Sequence, residues 1–305
     1  MGELRFVQVD VFTDTVFGGN PLAVVFGADG LGSEVMQKVA REMNCSETTF
    51  LLTPTRPDCA GRVRIFTPAR EIPFAGHPTI GTAFALAHAG VLKPGTTRSV
   101  FGLGVGPTPI DLEWNGARLK FAWMTQLNPT FGKTIADPAA LGAALGLDAA
   151  SLAVQRAPAQ EVHTGSTFLI VPLATRKAVD AAVLDRAKMD AVLTAAGAQR
   201  RGVYVFSTER AQDDTVAYTR LLGTGGIEDP ATGSAAGPAG CFMVRYGFVP
   251  PSAARSIVIL QGVLVKRPSR IHVNITAGGT GATPDITLVK VGGSSVVVGD
   301  GNVTV

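Results

Sequence analysis

Apolar and polar side chains alternate from Leu4 to Phe12, and a second apolar run extends from Leu22 to Phe26, which predicts strands joined by the turn-rich segment Thr13 to Asn20. Asn20-Pro21 reads there as a structural corner. From Ser33 the period changes: Val35, Met36, Val39, Ala40 and Met43 share one face of a helix capped by Ser33, with Glu34 in its first turn and its end near Asn44. Strands return at Thr48 to Leu52 and Arg62 to Phe66. Glu47 thus falls in a short junction, where a side chain can point into a cleft instead of the core.

Asn128-Pro129 and Asp137-Pro138 punctuate the middle of the chain, so a domain change is expected between Trp123 and Asp137, dividing it into 1–125 and 126–305. Asp137 and Pro138 open a short helix that Gly146 closes. Thr164 to Pro172 and Gly202 to Ser207 predict strands, separated by helical sequence from Arg176 to Ala196. Val216 to Leu222, Ile257 to Gln261, Ile271 to Ile275, Ile286 to Val291 and Ser295 to Val298 complete a mostly antiparallel set.

Two stretches share a different grammar. Ile72-Pro73-Phe74-Ala75-Gly76-His77-Pro78-Thr79-Ile80-Gly81-Thr82 leads into Ala83 to Ala89 and stops at Gly90. Ile227-Glu228-Asp229-Pro230-Ala231-Thr232-Gly233-Ser234-Ala235-Ala236-Gly237 leads into an apolar run to Phe248. Each reads as the start of a buried helix, and one in each half suggests a duplicated unit. A helix start offers unpaired N–H donors and positive potential, and small side chains let an anion or another backbone approach closely, so anion binding and tight helix packing both remain open.

At 305 residues, with 46% hydrophobic and 17% charged residues, the chain has ample material for compact domains. Its formal charge of +3 is scattered, which shows neither a nucleic-acid stripe nor a membrane-surface helix. The start Met1-Gly2-Glu3-Leu4-Arg5-Phe6-Val7 has no signal-peptide core, and no segment reaches about 18 uninterrupted apolar residues, so the cytoplasm is the expected address. Cys45, Cys59 and Cys241 lack the spacing of a disulfide framework or zinc site, and no metal is expected. Gly102, Gly104 and Gly106 are followed by Pro107, Pro109 and a strand from Ile110 to Trp114 instead of the helix of a dinucleotide fold. Gly132-Lys133-Thr134 has Leu127 at the upstream glycine position of a P-loop, so both nucleotide readings are rejected.

The chain resembles the PhzF-like phenazine-biosynthesis isomerases, which share the diaminopimelate epimerase fold. The matching pieces are Gly19-Asn20-Pro21 with Ala23-Val24-Val25, Ser46-Glu47-Thr48, Glu71 to Thr79, Glu228 to Gly237, Gln261-Gly262, Arg267-Pro268-Ser269 and Val291-Gly292-Gly293. The resemblance implies an α+β fold of two pseudo-equivalent domains, each a mostly antiparallel sheet wrapped around a central helix, with the terminal strand able to pair back onto the first. It implies a cofactor-independent isomerase that moves a proton within a small carboxylate by a glutamate shuttle in an inter-domain cleft. A homodimer is the expected assembly, with no nucleic-acid or membrane partner.

On its own Glu47 reads as a surface glutamate, but its setting matches the family's catalytic glutamate, and partial burial would tune such a carboxylate to accept and return a proton. His77, otherwise a cap or packing residue, and Asp229, otherwise a capping carboxylate, complete the implied catalytic set. Asn20, Ser46, Gly76, Thr79, Thr232, Gly233 and Ser234 are the implied substrate-binding residues, the helix-start members acting mostly through backbone N–H groups. His88, His163 and His272 read as structural. Relatives that racemise amino acids carry a cysteine at both helix starts, whereas Gly76-His77 and Thr232-Gly233 stand here, which argues against a two-thiol racemase. Lys266 stands where many relatives carry glycine. A non-catalytic carboxylate binder, an epimerase not using two cysteines and an interaction scaffold are the competing readings.

Overall fold

The computed structural model describes residues 2–199, 202–223, 228–278 and 284–305. Ile227, at the head of the second predicted helix start, lies outside the described residues. The chain divides into two compact units: Met1–Thr125 with Arg267–Ser269 and Gly292–Val305, and Gln126–Lys266 with Arg270–Val291.

In chain order the first stretch forms β1 (Glu3–Val11), β2 (Asn20–Val25), α1 (Ser33–Met43), β3 (Glu47–Leu52), β4 (Gly61–Phe66), β5 (Glu71–Ile72), α2 (Gly76–His88), β6 (Arg98–Leu103), β7 (Gly106–Asn115) and β8 (Arg118–Gln126). Next come β9 (Thr130–Ile135), α3 (Pro138–Ala144), β10 (Ala159–His163), β11 (Thr167–Pro172), α4 (Arg176–Ala181), α5 (Arg186–Ala195), β12 (Gly202–Ser207), β13 (Ala217–Leu222) and α6 (Gly233–Arg245). The chain closes with β14 (Ile257–Gln261), β15 (Ser269–Gly278), β16 (Asp285–Gly293) and β17 (Ser295–Thr304).

Strand pairing explains why the two halves read alike. In the first unit β1 pairs antiparallel with β2, β2 parallel with β3, β3 antiparallel with β4, and β4 parallel with β6. In the second, β10 pairs antiparallel with β11, β11 parallel with β12, β12 antiparallel with β13, and β13 parallel with β14. Each parallel pair needs a crossover. The first crossover is α1 in one unit and α4–α5 in the other; the second carries the buried helix, α2 or α6, each of 13 residues. β17 returns to pair antiparallel with β1.

Both central helices are apolar around their circumference, and nearly every residue from Gly76 to Leu86 and from Gly233 to Val244 is buried. α2 packs against β1, β2, β3 and β17. Gly81 permits that approach, since a Cβ there would lie 2.6 Å from both Val11 and Leu22. In the second unit a Cβ at Gly237 would collide with the Gln126 amide oxygen, and one at Gly240 would meet Val273 at 2.8 Å. Among the described residues no helix is long and apolar enough to cross a membrane.

Several local expectations are corrected. Gly32, not Ser33, caps α1, and the Ser33 hydroxyl accepts from Arg64 Nη2 at 2.8 Å. Asn20 and Pro21 open β2, paired with Val11 and Asp10, and so do not form a corner; Glu47 is the first residue of β3, not a junction residue. The single helical stretch expected over Arg176 to Ala196 is two helices, each with its own cap: Thr175 accepts from Ala178 N, and Asp185 accepts from Lys188 N. β5, β6, β8, β9 and β10 add to the expected strands; β9 and β10 pair with each other, and four of the six residues of β9 are exposed, so its apolar signal is weak. The P-loop-like Gly132-Lys133-Thr134 lies on β9, and the glycines at 104 and 106 belong to the β6–β7 hairpin.

Lys266 has φ of 58°, in the left-handed region that a Cβ disfavours. Glycine, the residue the resemblance leads one to expect there, would carry no such penalty. Lys266→Gly is expected to raise stability by about 1 kcal/mol, the strain relieved exceeding the added freedom of the unfolded chain. Urea unfolding checks this: the midpoint should rise with the slope unchanged, and a lowered midpoint would show that the lysine side chain contributes more than its backbone costs.

Candidate active site

In the first unit three expected residues meet at the start of α2. Asn20 is fully buried, and its Nδ2 lies 3.3 Å from His77 Nδ1. His77, the second residue of α2, places Nε2 3.3 Å from Glu47 Oε2, a contact in ion-pair range but not aligned as a hydrogen bond. The Glu47 side chain is 17% exposed, whereas that of His77 is 5% exposed. Parallel pairing of Leu22 with Glu47 holds the two strand ends side by side, so the carboxylate and Asn20 reach the same helix tip.

Burial pushes the His77 imidazole down to about 3 from its ordinary 6.5, outweighing the opposite effect of the Pro21 carbonyl. A helix N-terminus acts in the same direction as burial. The ring is therefore neutral at physiological pH, with a single N–H. If Nδ1 receives the Asn20 amide proton, Nε2 carries the hydrogen and faces the carboxylate; if Nδ1 donates to Pro21, Nε2 presents its lone pair. In both cases a neutral imidazole lies against Glu47, able to pass a proton or fix the carboxylate without carrying charge itself.

The neighbouring groups are committed elsewhere. No side chain caps α2, whose N-cap is Ala75, and the Thr79 hydroxyl donates to the Ala75 carbonyl at 2.7 Å. Any anion-holding role of Gly76 and Thr79 therefore rests on their backbone amides. Ser46 is half-buried immediately before Glu47. Cys45 is no thiolate, because burial first and then the Asp10 carboxylate push it up to about 11. Buried Asp10 and half-buried Arg267 form an ion pair, Nη2 to Oδ1 2.5 Å, and Arg267 also donates to the carbonyls of Gly18 (2.7 Å) and Gly19 (2.8 Å). That clamp fixes the chain as it enters Asn20.

In the second unit the start of α6 is organised by Gln261. Its Oε1 accepts from Thr232 N at 3.1 Å and from the Tyr204 hydroxyl at 3.0 Å. Its Nε2 donates to the Asp229 carbonyl at 2.9 Å and to Thr232 Oγ1 at 3.0 Å. The Thr232 hydroxyl in turn donates to Asp229 Oδ2 at 2.6 Å, so it orients the carboxylate and does not cap the helix. Gly233 is buried and Ser234 half-buried, and the Gly233 carbonyl accepts from Gln126 Nε2 at 3.0 Å. Glu228 is held by Arg220 through bonds of 2.8–3.1 Å.

Asn20, Glu47 and His77 are thus brought together in one unit, and Asp229, Thr232, Gly233 and Ser234 in the other. Sequence reasoning missed the supporting roles of Gln261, Gln126 and Tyr204. The one signal for them was a polar group within each apolar strand or strand end. His88 Nε2 lies 3.1 Å from Asp300, and His163 Nδ1 lies 3.2 Å from the Thr167 hydroxyl. An apolar cavity of about 480 Å³ in the second unit has Asp137 and Lys188 as its ionisable lining groups; the first is the α3 cap and the second contacts Asp185 at 3.4 Å. Neither resembles an acid–base pair. Among the described residues no group of three or more His, Cys, Asp or Glu could hold a metal ion.

Residues 9–301 match the sequence model of the PhzC-PhzF family, described as phenazine biosynthesis-like protein. The trans-2,3-dihydro-3-hydroxyanthranilate isomerase of Pseudomonas aeruginosa is 37% identical over 302 residues, covering 97% of this chain and 98% of that protein. The crystal structure of a PhzF-family phenazine biosynthesis protein from Bacillus anthracis superposes with a TM-score of 0.85 at 26% identity, covering 100% of both chains. A probable proline racemase from Agrobacterium radiobacter, at TM-score 0.67 and 11% identity over 99% of this chain and 93% of that one, shares the fold.

His77 links the site to stability. The unfolded imidazole binds a proton below pH 6.5 whereas the folded one does so only near 3, so the unfolded state binds more protons between those values. Stability contributed by keeping this ring neutral is present above pH 6.5 and is lost as pH falls toward 3, at up to about 1.4 kcal/mol per pH unit. Comparing urea unfolding of the native protein with His77→Gln from pH 7 to pH 4 should show a shallower loss for the variant. Parallel curves would mean that His77 is protonated in the folded state.

Proposed function

The chain belongs to the PhzC-PhzF family of phenazine biosynthesis-like proteins and is an isomerase, and from that premise we propose that it moves a proton within a small carboxylate substrate by a single-glutamate shuttle. The observation that carries this reading is the contact of the Glu47 carboxylate with a buried imidazole at a helix start. Glu47 takes a proton from a carbon next to a carbonyl or conjugated system, becomes a carboxylic acid, and returns the same proton to another carbon on the same face. No atom or electron is gained or lost, so the step requires no cofactor or co-reactant. His77, kept neutral, orients the substrate and stabilises developing charge; Asp229 is the further catalytic carboxylate that the resemblance implies, and backbone amides at a helix start suit the substrate's carboxylate.

The pseudo-equivalent fold supports one base over two. Glu47 opens β3 opposite Leu22, and the corresponding first residue of β12, opposite Phe168, is Gly202. The second unit therefore has no carboxylate at the matching strand start. Its Cys241 thiol is buried and pushed up to about 12, unsuited to act as the second base of a racemase.

Glu47→Gln should lower turnover of a dihydro-hydroxyanthranilate substrate by about 10² to 10⁴ while leaving its binding within a few-fold, because a positioned general acid–base contributes on that scale. In heavy water the native protein should incorporate deuterium into the product whenever the shuttle proton equilibrates with solvent. A turnover loss under about tenfold would sink the assignment and favour a carboxylate binder without this base.

With this reading go a cytoplasmic address and a homodimer. Sedimentation equilibrium should return twice the 31.6 kDa mass of the chain. A single-chain mass across micromolar concentrations would contradict the dimer.

A further inference from the structure

The glycines at 102, 104 and 106, rejected as a dinucleotide loop, line a cavity of about 520 Å³ in the first unit. Beside them in the sheet runs β4, paired with β6, whose period of two turns Val63 and Ile65 into the core and leaves Arg62 and Arg64 on the other face. Arg56 and Glu71 complete the charged lining. Arg64 is fixed: its guanidinium binds both Glu71 oxygens at 2.6–2.7 Å and lies 5.1 Å from the Phe66 ring centroid. Arg56 is fixed by both Asp58 oxygens at 2.9 Å. Arg62 is exposed and has no hydrogen-bonded or ion-paired carboxylate among the described residues.

The glycines shape the hairpin wall. A Cβ at Gly104 would sit 2.8 Å from Pro73 Cα, so the hairpin closes directly on Pro73, while Gly106 has φ of 113°. The cavity thus joins an apolar rim of Ile72, Pro73 and Pro107 to three guanidiniums and one carboxylate, with Arg62 near enough to Glu71 to lower that carboxyl but making no hydrogen bond or ion pair to it. Arginine's planar fork matches phosphate oxygens, and an apolar rim suits a ring or short carbon body.

We propose that this cavity is a second ligand site, for a small organic phosphate whose phosphate is held by Arg62 with help from Arg56 and whose apolar body rests on the hairpin. It is built from residues other than the Glu47–His77 set, and it stands whether or not the isomerase reading does. The wall residue Pro73 runs through Phe74 and Ala75 into Gly76 and His77, so an occupant would rest against the segment that delivers the imidazole.

Fluorescence titration with 1-naphthyl phosphate tests the proposal in low-salt buffer. The native protein should bind it saturably, Arg62→Ala should weaken binding at least about fivefold with unchanged melting temperature, and Glu47→Gln should bind as the native protein does. Raising salt should weaken binding, and 1-naphthoate should bind less well than the phosphate. No saturable binding at millimolar probe, equal binding by Arg62→Ala, or loss of binding in Glu47→Gln would overturn the proposal. Equal affinity for 1-naphthoate would overturn its assignment to phosphates.

Discussion

The constraint on which the site depends is the burial of an ionisable ring at the tip of an otherwise apolar helix. Because α2 is enclosed along almost its whole length, His77 is nearly shut off from water, and the cost of desolvating an imidazolium keeps it neutral. A neutral ring contributes no positive charge of its own to hold Glu47 ionised. A fully formed ion pair would instead hold the carboxylate ionised and make it a poor proton acceptor. The Asn20 amide and the Pro21 carbonyl fix which face of the ring meets the acid, and the Asp10–Arg267 clamp fixes the chain that carries them.

The second helix start reaches its order by a different route. There the ordering group is a neutral amide, Gln261, whose donors and acceptor engage Asp229, Thr232 and Tyr204 inside one buried network. Such networks are costly when incomplete and rigid when satisfied. The two units therefore repeat their strand pairing without repeating their chemistry: one supplies an acid next to an imidazole, the other an oriented carboxylate beside small residues. Divergence of side chains on a duplicated frame fits the single-base reaction proposed above, since a symmetric pair of bases would serve inversion at one carbon.

Much of this frame was legible in the sequence because strong periodicity marks it. β12 and β14 fall on the expected residues, and the terminal Gly90 has φ of 72° as its stopping role required. The duplicated helix starts were legible because glycine, proline and hydroxyl residues interrupt both periods at once. The strands β9 and β10 were not, because most of β9 is exposed and β10 sets Gln160, Glu161 and His163 among only two apolar residues. The break between α4 and α5 was hidden as well: it is fixed by tertiary bonds, Val183 N to Leu145 O and Asp185 N to Ala144 O, each 2.9 Å. Candidate residues with local signatures emerged, whereas Gln261 and Gln126 act through partners distant in sequence.

The most direct test of the account is the charge state of the His77 ring itself. Imidazole ¹⁵N NMR, with the resonance assigned by its loss in His77→Gln, should report a neutral ring whose shifts stay constant from pH 8 down to pH 5, against an ordinary titration near 6.5. A ring that gains its second proton near pH 6.5 or above would mean that His77 and Glu47 form a true ion pair, and the single-glutamate shuttle would lose its physical basis.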